Sequence, residues 1–432
     1  MSPRPDAPAP LRRRGPRPLL LHLTLAMLRS TVSRAMSVSS NPASPSSNPA
    51  SPTSSMAFAE AAAAIAAALR DPTNAASAAD AFPSAVVAET LRQDADLIAG
   101  IAAYRRYPYA RALDDPPAIW AEGESRLLDY GGLGSGGVPA LFVPSLVNRA
   151  YVLDLAPGHS MLRWLAGQGV RPLLLDWGWP TAVERGFTLT DYVAGRLERA
   201  IAAAAGAPGV TTHGKTGGKT VLIGYCMGGT IAVAAAERRP DLLGGLGLLA
   251  APWDFHAAGK QDAQTLARAL PLFEPALAFN QTLPVDLLQV LFAMLDPWGV
   301  AQKYRGFARL DPESDRARLF VALEDWLNDG VPLGAPVARE CLTGWYGENT
   351  PARGAWRIAG MPVDPAAIRL PSFVAAPARD RIVPPESARP LARLIPGAVL
   401  HEPAAGHIGM AAGHTAEAVL WRPLRDWLHS LA

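Results

Sequence analysis

The stretch "KTVLIGYCMGGTIAVAAAERRP", residues 219–240, constrains the fold more than any other. A short apolar run ends on Gly224, a corner holds Tyr225, Cys226 and Met227, and Gly228 and Gly229 open a long alanine-rich run. A four-to-eight-residue apolar run bounded by glycine reads as a buried strand, and the following run reads as a helix. A strand that turns straight into a helix is one half of a parallel β-α-β unit. The neighbouring segments carry the same alternation. "SRLLDYGG" and "PALFVPSL" read as strands, "SMLRWLAGQG" as a helix ending on Gly169, and "VRPLLLDWG" as a buried strand. "TLTDYVAGRLERAIAAAA" reads as a helix capped by Thr188 or Thr190, and "LLGGLGLLAAP" as a further strand. The alternation stops after Pro252 and returns in "LPSFVAAPARD", "PPESARPLARLI", "AVLHEPAAGHIG" and a closing helix to Leu431. The expected fold class is therefore α/β, a mostly parallel sheet with helices on both faces, over residues 126–252 and 366–432. Residues 253–365, mainly helical and rich in Trp and Phe, are expected to form a cap insertion.

The start of the chain is different. Residues 1–55 hold the basic and apolar run "LRRRGPRPLLLHLTLAMLRS" and then the Ser/Pro-rich near-repeat "SNPASPSSNPASP". They are expected to be disordered or to precede the true start, at Met36 or Met56. A signal peptide is the competing reading of the first run. Residues 56–125 are expected to be helical, opening with "MAFAEAAAAIAAALR". Among 432 residues, 49% are apolar, which supports a large core, and the net charge of +2 gives no reason to expect nucleic acid as a partner. No uninterrupted apolar run is long enough to predict a transmembrane segment. Two cysteines, Cys226 and Cys341, make no disulfide framework and suit a reduced compartment.

Two phosphate-binding patterns occur and neither has the right context. "GVTTHGKT", 209–216, satisfies the P-loop pattern, but a helix precedes it and a strand follows, the reverse of what puts helix-terminal amides on a phosphate. It is expected to be a polar surface loop. "GLGSGG", 132–137, joins two expected strands and reads as a hairpin turn.

The corner at Cys226 has the strand–turn–helix context of a nucleophile elbow. Gly224 and Gly228 stand where strand and helix pass closely, and the side chain projects at a helix N-terminus, where the dipole favours a thiolate. The amide of Met227 points to where an oxyanion would form, and Val147, in the loop of "ALFVPSLVNRAY", is the choice for the second amide. A packed cysteine in a tight turn is the plainer alternative. Such a nucleophile needs an acid and then a histidine further along the chain. Asp380 in "VAAPARDRIVPP" follows the penultimate strand, and His407 in "AAGHIGMAAG" follows the last one. Asp380 would fix the imidazole tautomer, and His407 would take a proton from Cys226 or from an incoming hydroxyl. Asp254 in "APWDF" is an alternative acid, and Asp176 reads as structural. His22, His159 and His213 precede the elbow, while His256, His401, His414 and His429 lack the Gly-flanked setting; Cys341 reads as packed within the insertion.

Together these residues resemble the catalytic subunit of polyhydroxyalkanoate synthases, most closely the shorter, two-component class of the α/β-hydrolase superfamily. The resemblance runs from about Leu127 to the end, through "PSLVNRAYVLDL", "LLLDWGWPTAVERGFTLTDYVAG", "GYCMGG", "PWDF", "QKYRGFARL", "EDWLNDGVP", "RDRIVPP" and "GHIGM" in order. It implies that Cys226 takes the acyl group of an (R)-3-hydroxyacyl-CoA as a thioester, that His407 activates the hydroxyl of the next unit, and that Asp380 supports that step while CoA leaves. It implies no cofactor and no metal, since coenzyme A enters as the substrate's thioester. It also implies a cytoplasmic location at the polyester granule surface, with a homodimer or a second synthase subunit as partner, and a cap that excludes water. The stretch of about 125 residues ahead of the first strands departs from the short class. A cysteine-dependent thioesterase or esterase of the same fold has the same triad, and a non-catalytic granule scaffold is the third reading.

Overall fold

The computed structural model describes residues 13–39, 75–132, 137–207 and 219–431. The chain divides into two compact units, Met1–Tyr107 with Pro297–Pro312, and Pro108–Asp296 with Glu313–Ala432.

The second unit is built on a sheet of eight strands: β1 Ala118–Glu122, β2 Ser125–Asp129, β3 Val138–Val143, β4 Val170–Asp176, β5 Thr220–Tyr225, β6 Leu243–Leu249, β7 Ser372–Ala375 and β8 Val399–His401. Their order across the sheet is β1-β2-β4-β3-β5-β6-β7-β8. The β1–β2 and β2–β4 pairs are antiparallel, and all pairs from β4 to β8 are parallel. β3 and β5 are buried at every position, as strands covered on both faces must be. Side chains of β5 alternate between two cores. Leu222 joins the face packed by the helices Glu198–Ala205 and Met227–Arg238, while Val221 and Ile223 join the face packed by Met161–Gly167 and Arg422–Ser430. This is the parallel, doubly covered α/β sheet expected from the alternation.

The helix before β5 begins at Thr188 rather than Thr190. The Thr188 hydroxyl accepts from the Asp191 amide, and the Asp191 carboxylate accepts from the Thr188 amide, a reciprocal cap. The hairpin expected at 132–137 does not exist, because β4 lies between β2 and β3 and the connection is a crossover. The chain does make a hairpin one step earlier, where Gly123 at φ 58° turns β1 into β2. Part of the segment expected to be helical, 108–125, therefore belongs to the sheet unit as a turn and a strand.

Between β6 and β7 the second unit carries the helices Lys260–Arg268, Leu270–Asn280, Val285–Leu295, Asp315–Asn328 and Ala335–Arg339, the last continuing as a π-helical turn Glu340–Gly347. Residues 297–312 lie inside the expected cap but group with the first unit. There the helix Gly299–Phe307 lies so close to Ala75–Arg106 that a Cβ on Gly100 would stand 2.0 Å from the Tyr304 carbonyl oxygen. Tyr104 and Tyr304 meet edge to face at 5.7 Å. The first unit also holds a helix Leu19–Ser39, pinned by the Ser30 hydroxyl donating to Asp94 at 2.8 and 2.9 Å. Residues 19–39 are thus helical, against the expectation for 1–55. "MAFAEAAAAIAAALR" and "GVTTHGKT" lie outside the described residues. Among the described residues no helix is long and apolar enough to cross a membrane.

Candidate active site

Cys226 sits between β5 and the helix Met227–Arg238 with φ 57° and ψ −129°. A side chain rarely tolerates that region, and the surrounding contacts hold it there. The Cys226 amide donates to the Leu249 carbonyl at the end of β6 at 2.9 Å, and the Cys226 carbonyl accepts from the Gly229 amide at 2.8 Å. The two flanking glycines are required by space. A Cβ on Gly224 would stand 2.4 Å from the Gly229 Cα, and one on Gly228 would stand 2.1 Å from the Val143 carbonyl oxygen. The strand and helix can therefore cross only with glycine at both places, and the crossing lifts the thiol above the carboxyl edge of the sheet.

Asp380 follows β7 and His407 follows β8, so both reach the same edge. Asp380 Oδ1 accepts from the amides of Ile382 and Val383 at 2.8 and 2.9 Å. Its Oδ2 accepts from His407 Nδ1 at 2.6 Å. Both carboxylate oxygens are thus committed, and the bond to Nδ1 leaves Nε2 as the working nitrogen of the ring. Both side chains are buried. Burial alone would push the His407 pKa down, but negative charge at Cys226 and Asp380, with a hydrogen bond from each, outweighs it and raises the pKa from 6.5 to about 10. The structure therefore brings Cys226, His407 and Asp380 together at one point.

Sequence reasoning missed Tyr225. Its ring stacks on the His407 ring at 5.2 Å, and its hydroxyl donates to the His407 carbonyl at 3.2 Å. The signal was present, since the residue before an elbow nucleophile ends the same strand. Met227 is the first residue of the elbow helix, where an amide has no partner one turn earlier. Val147 lines the same pocket as Cys226, but its amide donates to the Ser145 hydroxyl at 3.4 Å.

The other candidates lie elsewhere. Asp254 accepts from the His256 amide at 3.0 Å and from Asn349 Nδ2 at 2.8 Å, a turn-closing role. Asp176 pairs with Arg126 at 2.8 Å. His256, His401 and His429 each bond a backbone carbonyl, of Tyr346, Val419 and Gln168. His159 and His414 meet edge to face at 5.3 Å. His22 bonds the Arg17 carbonyl at 3.2 Å. His213 lies outside the described residues. Cys341 is buried, and burial pushes its thiol pKa well up. Among the described residues no cluster of His, Cys, Asp or Glu is arranged to hold a metal.

Two pockets meet at Cys226. One, of about 600 Å³ counting its open part, is mainly apolar, with Phe292, Trp326 and Leu327 beside His407, Asn148 and Arg149. The other, of about 830 Å³ on the same measure, runs under the cap and is almost wholly apolar. A nucleophile at the junction of two largely apolar pockets, beside a buried Asp–His pair, can form and pass on an acyl group.

A family model described as alpha/beta hydrolase fold matches residues 215–412. Among curated proteins, the chain is 30% identical over 323 residues to the poly(3-hydroxyalkanoate) polymerase subunit PhaC of Haloferax mediterranei, covering 72% of this chain and 62% of that one. The namesake from Haloarcula marismortui is 26% identical over 322 residues, covering 72% and 66%. That from Allochromatium vinosum is 28% identical over 297 residues, covering 68% and 81%. The chain thus spans less than two thirds of the first two relatives' length, at 62% and 66%.

Proposed function

We propose that the chain, similar to the alpha/beta hydrolase fold family over residues 215–412 and to curated poly(3-hydroxyalkanoate) polymerase subunits, is an acyltransferase polymerising (R)-3-hydroxyacyl-CoA through a thioester on Cys226. The observation that carries this reading is the buried His407–Asp380 pair facing a cysteine held at φ 57°.

Cys226 passes its proton to Nε2 of His407 as the reaction begins. The sulfur attacks the thioester carbonyl, the carbon–sulfur bond to coenzyme A breaks, and His407 gives its proton to the departing thiolate. Acylation removes the negative charge at Cys226, the largest of the effects that raise the His407 pKa. The imidazole is then neutral and a better base. It takes the proton of an incoming 3-hydroxyl, whose oxygen attacks the Cys226 thioester and releases the sulfur as thiolate. The chain, one unit longer and still a CoA thioester, then reloads Cys226. Thiolate-for-thioester exchange is nearly balanced, which suits a carrier that must give its acyl group up again; a serine ester would be a poorer donor. Asp380 fixes the ring through Nδ1, and the Met227 amide supplies one oxyanion donor. For the second donor the Val147 amide must exchange its long bond to Ser145 for the substrate oxyanion.

The same reading takes the chain to the surface of a cytoplasmic polyester granule, with a second copy or a second synthase subunit as partner. Leu272 and Phe279 on the cap helix Leu270–Asn280, 80% and 89% exposed, supply apolar surface for such contacts. The test is to mix the protein with 3-hydroxybutyryl-CoA and follow CoA release together with product size. The reading expects high-mass polyester, lost in Cys226→Ala. CoA release with free hydroxy acid alone would make the protein a thioesterase instead.

A further inference from the structure

In the first unit, two helices share an outer face that carries no charge. The helices Leu19–Ser39 and Ala75–Arg106 run antiparallel, since Ser30 bonds Asp94, Arg34 Nε donates to the Thr90 hydroxyl, and Leu19 and Ala102 line one cleft. On Ala75–Arg106, Thr90 and Asp94 thus face Leu19–Ser39, while Gln93, Gly100 and Tyr104 meet Arg305 and Tyr304 on Gly299–Phe307. Helical periodicity leaves Val87, Leu91, Ala95, Ile98 and Ala102 for the remaining side. On Leu19–Ser39, Ser30 and Arg34 face the longer helix and Arg29 lies toward Arg305, which leaves Leu20, Thr24, Met27 and Thr31. Both stripes turn away from Gly299–Phe307, so they adjoin as one face. Leu20, Met27, Leu91 and Ile98 are each more than half exposed, and no position of either stripe holds a charged residue. A surface helix ordinarily turns its charges to solvent, so an uncharged, apolar face across two helices marks an interaction surface.

Charge gathers at one end of this face. Arg13, Arg14, Arg105 and Arg106 ring the cleft that holds Leu19 and Ala102, and Arg14, Arg105 and Arg106 are exposed. Residues 13–39 carry five arginines and no carboxylate. The occupant must therefore offer an apolar layer bordered by anions. A neutral polyester would cover the leucines but give the arginines nothing to pair with. A second copy of this face would bring the same arginines and no carboxylate to meet them. An anionic phospholipid surface offers both parts, acyl chains beside Leu20, Met27, Leu91 and Ile98 and phosphates at the level of the arginines. Arginine stems lie along apolar surface while their guanidinium groups stay with the headgroups. We propose that the face formed by Leu19–Ser39 and Ala75–Arg106 lies flat in the headgroup layer of an anionic phospholipid membrane, with the arginine cluster holding the phosphates. Such a face rests on the membrane without crossing it, and among the described residues no helix is long and apolar enough to cross. The face belongs to a different unit from Cys226, so its binding does not depend on the chemistry proposed there.

The test is flotation of the full chain with two kinds of vesicle, equal parts phosphatidylcholine and phosphatidylglycerol, and phosphatidylcholine alone. The chain should float with the first and not with the second, and added salt should weaken the binding. Arg105→Gln combined with Arg106→Gln should weaken it about 25-fold, at about five-fold for each arginine. Leu91→Ser combined with Ile98→Ser should weaken it about ten-fold or more, with an unchanged circular dichroism spectrum because both side chains are exposed. Should one pair of substitutions not fold, the other pair and the comparison of the two vesicles still decide. No flotation with the anionic vesicles, equal flotation with both kinds, or binding that neither pair weakens would overturn the proposal. So would a dimer in gel filtration that Leu91→Ser with Ile98→Ser splits while vesicle binding stays intact, which would give the face to a second copy.

Discussion

At Cys226 the backbone is held where side chains rarely go, and this is the cost of presenting a sulfur above a sheet. The prediction at His407 follows from its charge partners. A folded pKa of about 10 against an unfolded 6.5 means that the folded state holds the proton more tightly. The stabilisation is fully present below pH 6.5 and is lost as pH rises through about 10. The rate of acylation should likewise decline through about pH 10, because the leaving thiolate then lacks its proton donor. Asp380→Asn should move that limb to lower pH, measured as the pH profile of single-turnover CoA release; an unmoved limb would remove Asp380 from the role. The residues of this site were legible because an elbow, an acid after one strand and a histidine after the next occur in a fixed order. Tyr225 was not, since its stacking on His407 exists only once distant segments meet. Val147 lines the Cys226 pocket, but the bond of its amide to Ser145 depends on a local turn that residue types do not specify.

At the scale of elements, the elbow requires the strand β5 and its helix to touch. Gly228→Ala puts a Cβ 2.1 Å from the Val143 carbonyl oxygen, which is backbone and cannot swing aside. The expected destabilisation is about 3 kcal/mol, in the range of overpacked cores, read from the urea midpoint. β2 and β4 are joined by more than their ladder. Arg171 and Asp129, 0% and 3% exposed, pair at 2.8 Å. Arg171→Leu strands the Asp129 carboxylate and should cost about 3–5 kcal/mol, whereas changing both residues to apolar ones of similar size should recover most of it. The parallel strands were legible because strands buried on both faces are continuous apolar runs. The edge strand β1 was not. "AIWAE" is short and half exposed, so it carries neither a buried run nor a strict alternation. The Gly123 turn was the signal that could have found it. The supposed hairpin at 132–137 failed for the opposite reason, because a glycine-rich connection says nothing about which strand slots between the two it joins.

For the whole molecule, sequence pattern identified the helices of the insertion but not their allegiance. The helix Gly299–Phe307 groups with the N-terminal unit through the close approach at Gly100, the Tyr104–Tyr304 ring contact and the Arg305–Gln93 hydrogen bond, none of which the segment's own sequence reveals. Helical periodicity records which face is apolar, and not which distant partner will cover it. The central claim concerns what the sheet unit does as an assembly: a nucleophile, set where two largely apolar pockets meet, that carries a growing chain. It is tested most directly by quenching the protein with acid at short intervals after mixing with 3-hydroxybutyryl-CoA and weighing the peptide that contains Cys226. The account predicts a ladder of adducts on Cys226, each step one hydroxybutyrate repeat heavier, absent from Cys226→Ala. A single one-unit adduct that decays only to free hydroxy acid, or acylation at any residue other than Cys226, would contradict it.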